Sequence, residues 1–302
     1  MPLVSLQTLL AQAVKGAYAV GYFEAWDSYS LEAVVEAAEA EQAPVILGFG
    51  CMMVAPRWLD AGGIEMLGCF GRAMAERVHI PVALILNEAR TFEQAQRAVA
   101  AGFNTVMLDT SAWEWARAVE AVAQLVRFAH SHGAAVEGEL GHLPDAVEDR
   151  IDKSSMMLTD PNQAAAFVHA TGVDCLAVSI GNVHLLTTDV APVNLAQLEK
   201  IHQRVSLPLV IHGGTSFPPD LVPAAIARGV AKFNVGTVLK QKFLEGLREA
   251  AGSLPPRANV HALLGSHDET DLMNAGKARM AAKVRELIRL YGASGRAAEF
   301  IK

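Results

Sequence analysis

Eight short, β-branched runs separated by amphipathic helical stretches limit most strictly what this 302-residue chain can fold into. They are "AVGYFE" 19–24, "APVILGFG" 43–50, "PVALILNE" 81–88, "TVMLDT" 105–110, "AAVEGELG" 134–141, "CLAVSIG" 175–181, "PLVIHGG" 208–214 and "KFNVGT" 232–237. Each is almost continuously apolar, the pattern of a parallel strand buried on both faces. Between them lie helical stretches such as "LEAVVEAAEAEQ" 31–42, with Leu31, Val34, Val35 and Ala38 on one face. "TDPNQAAAFVHATG" carries its own punctuation: Asp160 caps, Pro161 opens and Gly172 closes. Eight βα units with right-handed crossovers predict an α/β protein, a (β/α)8 TIM barrel. A doubly wound sheet would want a Gly-rich turn after the first strand, and "YFEAWD" is not one. The expected organisation is a single barrel domain over 1–302 with a helical C-terminal extension from about 238. Its two helical segments, 237–252 and roughly 270–291, suit packing on the barrel's outside or against a second subunit.

Composition removes several function classes. A net charge of −7 with scattered Lys and Arg argues against a nucleic-acid surface. Cys51, Cys69 and Cys175 lack metal-type spacing, and reduced thiols are the plain reading. The N-terminus has no basic segment followed by an apolar run and a cleavage site, and no run of about 18 apolar residues occurs. A cytoplasmic protein without a membrane partner is expected.

Barrel chemistry gathers at the C-terminal strand ends. Those ends read Glu24, Gly50, Asn87, Glu88, Asp109, Glu139, His184, His212, Thr215, Asn234 and Thr237. Two histidines at adjacent strands, with carboxylates on strands three and five, supply the nitrogen and oxygen donors that a divalent metal needs. A lone histidine there would ordinarily be a packed one. "HGGTS" 212–216 and "NVGT" 234–237 end strands seven and eight, the usual phosphate position of a barrel. The polar loop 142–158, "HLPDAVEDRIDKSSMML", reads as a lid or binding loop.

The ordered series "GAYAVGYFE", "LEAVVEAAEAEQAPVIL", "RAVAAGFNTVMLD", "VEGELG", "LTDPNQAAAFV", "DCLAVSIGNVH", "PLVIHGGTS" and "GVAKFNVGTVLK" resembles the class II, metal-dependent fructose/tagatose-bisphosphate aldolases over nearly the whole chain. The resemblance implies a carbon–carbon lyase, dimeric or tetrameric, acting on a phosphorylated ketose or related keto-sugar. It implies His184 and His212 as metal ligands, Glu139 beside the metal, and Glu148 as the mobile catalytic glutamate. It places Gly213, Thr215, Gly236 and Thr237 on phosphate and Asn234 on the ketose. Zinc is the expected metal, with manganese or iron as alternatives.

The departures cluster elsewhere. Where the family ends strand three with His-x-Asp-His, this chain reads Ile85, Leu86, Asn87, Glu88. Strand one's usual Asn is Glu24, strand two's polar end is Gly50, and the Gly after the strand-six histidine is Leu185. An amide does not change protonation, so Asn87 is no base, and losing a positioned base costs roughly 10²–10⁴ in rate. Glu88 moves the lost carboxylate one place along, as third metal ligand or as displaced base. Two other functions fit the same pocket: a non-catalytic sugar-phosphate-binding barrel, and a metal-dependent enolate enzyme such as an isomerase or another lyase. Glu24 and Asp27 are expected to pair with Arg90 or to meet a polar substrate. Lys232 is read as opening strand eight, away from the chemistry, and Trp26, Trp113 and Trp115 as packing.

Overall fold

All eight apolar runs become parallel strands of one closed barrel: β1 Val20–Glu24, β2 Val45–Gly50, β3 Val82–Ala89, β4 Thr105–Leu108, β5 Ala135–Leu140, β6 Cys175–Val178, β7 Leu209–Ile211 and β8 Val230–Val235. Neighbours follow chain order, and β8 closes on β1 through Val20↔Lys232 to Phe23↔Val235. The computed structural model describes residues 3–141, 146–147, 150–151, 157–183, 191–255 and 257–300. Strands β2, β4, β6, β7 and β8 are buried at every residue, which is why their sequences lack polar alternation. The helix Pro161–Thr171 has the expected ends: Asp160 accepts from the Asn162 and Gln163 amides, and Gly172 closes in the left-handed region at φ 72°.

Two expectations change. Asp27 does not meet Arg90; it caps the helix Ser28–Ala40 in a reciprocal box with Ser30. Arg90 Nη2 instead donates to the Met52 carbonyl at 2.7 Å. Lys232 does not open its strand. It is the third residue of β8, with its side chain fully buried. Trp26 packs edge-on against Phe243 at 5.4 Å, as a packing residue should.

The extension folds back on the barrel. The helix Leu272–Leu290 packs on Thr237–Gly252 and on Ser28–Ala40, burying Met280, Val284, Leu287 and Ile288. Glu41, just past Ser28–Ala40, locks this arrangement. It accepts from Arg285 Nε at 2.9 Å, Arg289 Nη2 at 2.7 Å and Ser294 Oγ at 2.8 Å. These bonds, Arg289's first, hold its carboxyl at about 2 against the opposing effect of burial. A depressed carboxyl stabilises the fold above its unfolded value, near 4.3. That contribution is lost as pH falls from there through about 2. Because both guanidiniums are substantially exposed, Glu41→Gln should cost only about 1–2 kcal/mol at neutral pH. The gap between variant and parent should close on acidification; urea titrations at pH 7 and pH 3 check this, and a constant gap would discount the ionic lock. Among the described residues no helix is long and apolar enough to cross a membrane.

Candidate active site

The end of β3 carries a local irregularity that aims Glu88. Leu86 pairs with Val106 and Ala89 with Leu108, so three steps on β3 answer two on β4. This extra residue is a bulge, which bends a strand and redirects a side chain. Glu88 takes the left-handed backbone at φ 58°, unfavourable for a residue with a Cβ. The outcome is a carboxylate turned toward the end of β7, four strands round the barrel: Glu88 Oε1 lies 3.6 Å from His212 Nδ1, and Glu139 Oε2 lies 4.0 Å from the same nitrogen. Asn87 is buried beside it, and its Oδ1 has no hydrogen-bond partner among the described residues.

His212 lies one residue past β7 and is held from behind. Its Nε2 meets Glu137 Oε1 at 2.8 Å, and its carbonyl accepts from Asn182 Nδ2 at 2.9 Å. Glu137 and Glu139 are two apart on β5, so both project from one face of the strand. The deeper one, Glu137, is fully buried and also meets Lys232 Nζ at 2.6 Å. Lys232 Nζ donates in turn to Asn234 Oδ1 at 2.5 Å. One buried cation therefore joins the brace of His212 to the orientation of Asn234. With Oδ1 committed, Asn234, a cavity-lining residue, is left with a buried Nδ2 that has no partner among the described residues.

Electrostatics follow from this packing. Burial would push the Glu137 carboxyl up, but Lys232 and then His212 outweigh it and hold it well below the usual range. Burial opposes a charged His212, yet Glu139, Glu137 and Glu88 together raise it to about 10. Two of these carboxylates, Glu88 and Glu139, face Nδ1 and draw positive charge there, and a divalent cation answers the same demand. The donor set fits such a cation: an imidazole nitrogen and two carboxylates from the alternate strands β3, β5 and β7, with the ring oriented from its other nitrogen. Among the described residues no three of these side chains close into a complete ligand set. His184 and Glu148, as well as Leu185, lie outside the described residues.

Asn87, Glu88, His212 and Asn234 face a cavity of about 520 Å³ that also reaches Tyr22, Glu24, Met52 and Lys240. Its floor is the double loop after β7 and β8. Gly213 turns at φ 68°, where a Cβ would strike the Val183 carbonyl. The helix Thr237–Gly252 starts at Gly236 with its positive end against the cavity, a natural anion position. Two cradle atoms are committed elsewhere: the Gly214 amide donates to the Asn234 carbonyl, and Thr215 Oγ1 accepts from the Val238 amide at 3.2 Å. Thr215 thus caps the helix and retains its hydroxyl proton for a ligand. Glu24 pairs with Lys240, Oε1 to Nζ 2.7 Å.

Sequence reasoning missed Glu137, Lys232 and Tyr22. The signal for the first two was present: a carboxylate and an amine inside otherwise apolar strands, each costly to bury alone. Tyr22 gave none, since an aromatic residue in a strand is ordinary core; here its ring lies 5.1 Å from Lys232 Nζ.

A closed (β/α)8 barrel with histidine, carboxylates and an anion cradle at its C-terminal rim defines a barrel enzyme of polar small-molecule chemistry. The chain belongs to the class II fructose-bisphosphate aldolase family, whose family model, fructose-bisphosphate aldolase class-II, matches residues 4–296. It is 34% identical over 301 residues to the fructose-bisphosphate aldolase of Geobacillus stearothermophilus, covering 99% of this chain and 100% of the relative. It is also 34% identical to the probable fructose-bisphosphate aldolase of Bacillus subtilis, covering 98% and 100%. Among solved structures, the YdjI aldolase from Escherichia coli K12 superposes with a TM-score of 0.79 at 29% identity, covering 98% and 99%. The protein is an aldolase, a carbon–carbon lyase of a class generally dependent on a divalent metal.

Proposed function

We propose that this aldolase cleaves and forms a carbon–carbon bond in a phosphorylated ketose or related keto-sugar, with zinc as the resident metal. The observation that carries the reading is the bulged, left-handed Glu88 turned toward His212 beside Glu139. In this reading His184, His212, Glu88 and Glu139 hold the metal. When bound, the metal supplies Lewis-acid polarisation of the ketose oxygens. Asn234 Nδ2 donates to the ketose half, and Asn87 Oδ1 accepts from a substrate hydroxyl, whose proton leaves to solvent water as the bond breaks. Gly213, Thr215, Gly236 and Thr237 hold the phosphate through backbone amides, the Thr215 hydroxyl and the positive end of the helix Thr237–Gly252. Glu148 carries the proton to and from the donor carbon. The enzyme is a cytoplasmic homo-oligomer, dimer or tetramer, with no nucleic-acid or membrane partner.

Proton exchange tests the retained half of the chemistry. Zinc-loaded protein should exchange a C–H proton of dihydroxyacetone phosphate with deuterated solvent, observed by NMR. Glu148→Gln should slow exchange by roughly 10²-fold or more, the usual worth of a positioned base. No exchange by the parent with zinc, manganese or iron would count against the aldolase assignment of this site. Unchanged exchange in the variant would leave Glu148 as ordinary loop charge.

A further inference from the structure

Glu24 stands at the opening of the anion cradle. The register of β1 on β8 sets it one step past Phe23↔Val235, level with Gly236 at the head of the helix Thr237–Gly252. Its Oε2 fills the space that a side chain on Gly236 would take, and its Oε1 lies 3.1 Å from where a Cβ on Gly50 would stand. Lys240, in the first turn of that helix, meets Oε1 at 2.7 Å. Glu24 therefore holds two things at once. One is the helix head, whose positive end favours an anion. The other is the sole Lys or Arg among the described cavity-lining residues. The pair is open to the cavity, with the Glu24 side chain 19% and that of Lys240 40% exposed. A phosphate in the cradle comes to the same helix head, and a carboxylate and a phosphate cannot both take one lysine and one helix end without repulsion.

We infer that Glu24 is a built-in competitor for the phosphate position: its carboxylate occupies Lys240 and the head of Thr237–Gly252, and a substrate phosphate binds by displacing it from both. This rests on the phosphorylated-ketose reading above and adds a selection step to it. The physical basis is a like charge set at the ligand's own position, which lowers affinity for every anion that arrives there. A bare anion gains that position and nothing else, so it is held weakly. A phosphorylated ketose brings further contacts, at Asn234 among others, and their binding energy offsets the displacement. Glu24 thus separates the substrate from free inorganic anions, which share its phosphate contacts.

The test reads binding and does not depend on turnover. Affinities for sulfate, a dianion of phosphate's shape, and for dihydroxyacetone phosphate are measured by calorimetry on the full-length, zinc-loaded protein. Glu24→Gln keeps the size and removes the charge, so both ligands should bind about 10-fold more tightly or better, as relief of a like-charge contact requires. Adding Lys240→Met to that variant should cancel the gain, because the lysine is what the anion takes over. Lys240→Met alone should bind sulfate more weakly than the parent, a loss opposite in sign to the Glu24→Gln gain that general loosening of the cavity would not produce. Affinities unchanged or lowered in Glu24→Gln, a gain that survives loss of Lys240, or parent-like sulfate binding in Lys240→Met overturn the inference. Failure of the phosphorylated-ketose reading would appear separately: sulfate affinity would rise in Glu24→Gln, while dihydroxyacetone phosphate bound no more tightly than sulfate in either protein.

Discussion

Replacing Glu88 by Gln should weaken divalent-metal binding by about 10-fold or more, since even outer contacts to a metal site are worth 10–100-fold. The expectation comes from two costs that the strand end accepts. A β-carbon at φ 58° is unfavourable by about 1–2 kcal/mol, and a carboxylate only 12% exposed loses hydration. Strain of this kind persists where the surroundings over-determine it, and such places concentrate at functional sites. A drifted, inactive strand end would fill this position with a small or apolar residue, as Ile85 and Leu86 fill theirs. Competition with a chromophoric chelator gives the affinity. Glu88→Gly separates the two costs: metal affinity should fall as in the Gln variant. Unfolding free energy of the metal-free protein should hold or rise by up to about 1 kcal/mol, because glycine accepts the left-handed backbone. A Gln variant that binds metal like the parent but no longer turns over would make Glu88 the displaced base. Unchanged binding and unchanged turnover would mark the strand end as decayed.

Lys232→Met should be the most damaging single change in the barrel interior. It removes the nearer of the two groups that answer the fully buried Glu137, and breaking a buried pair from one side costs about 3–5 kcal/mol. Chemical denaturation reads this directly. Adding Glu137→Gln should recover a large part of the loss, because two neutral side chains need no counter-charge; the double-mutant cycle isolates the pair. Recovery of stability should not restore the site. Without Lys232, the Asn234 amide is no longer held by its Oδ1, so KM for the ketose should stay raised in the stable double variant. If the double variant is no more stable than Lys232→Met, the lysine's role is packing alone. If it is stable and binds ketose normally, Lys232 does not position Asn234.

Much of this was legible along the chain. Apolar runs of strand length separated by amphipathic helices specify a parallel sheet, and eight such units specify closure, because burial on both faces and right-handed crossover are local, repeating constraints. Strand ends were equally legible, so Glu24, Asn87, Glu88, Glu139, His212 and Asn234 could be named before their distances were known. So could the cap at Asp160 and the helix stop at Gly172, each set by a few adjacent residues.

The partners were not legible. Glu24 looked toward Arg90 from the order of residues, yet it reaches Lys240, 216 positions away, because closure sets β1 beside β8. Lys232 looked like the polar start of a strand, yet register buries it opposite Glu137, which lies 95 positions earlier on a strand it does not pair with. The turn of Glu88 onto His212 needs an extra residue in the β3–β4 ladder, and a bulge appears only when both strands are in place. Sequence by itself determined which chemical groups stand at the barrel's rim, since the two-residue period of a strand and its apolar length are local properties. Only the tertiary structure decided which charge answers which, because inside a barrel the partner of a buried group is chosen by closure and register, across separations that no local pattern records.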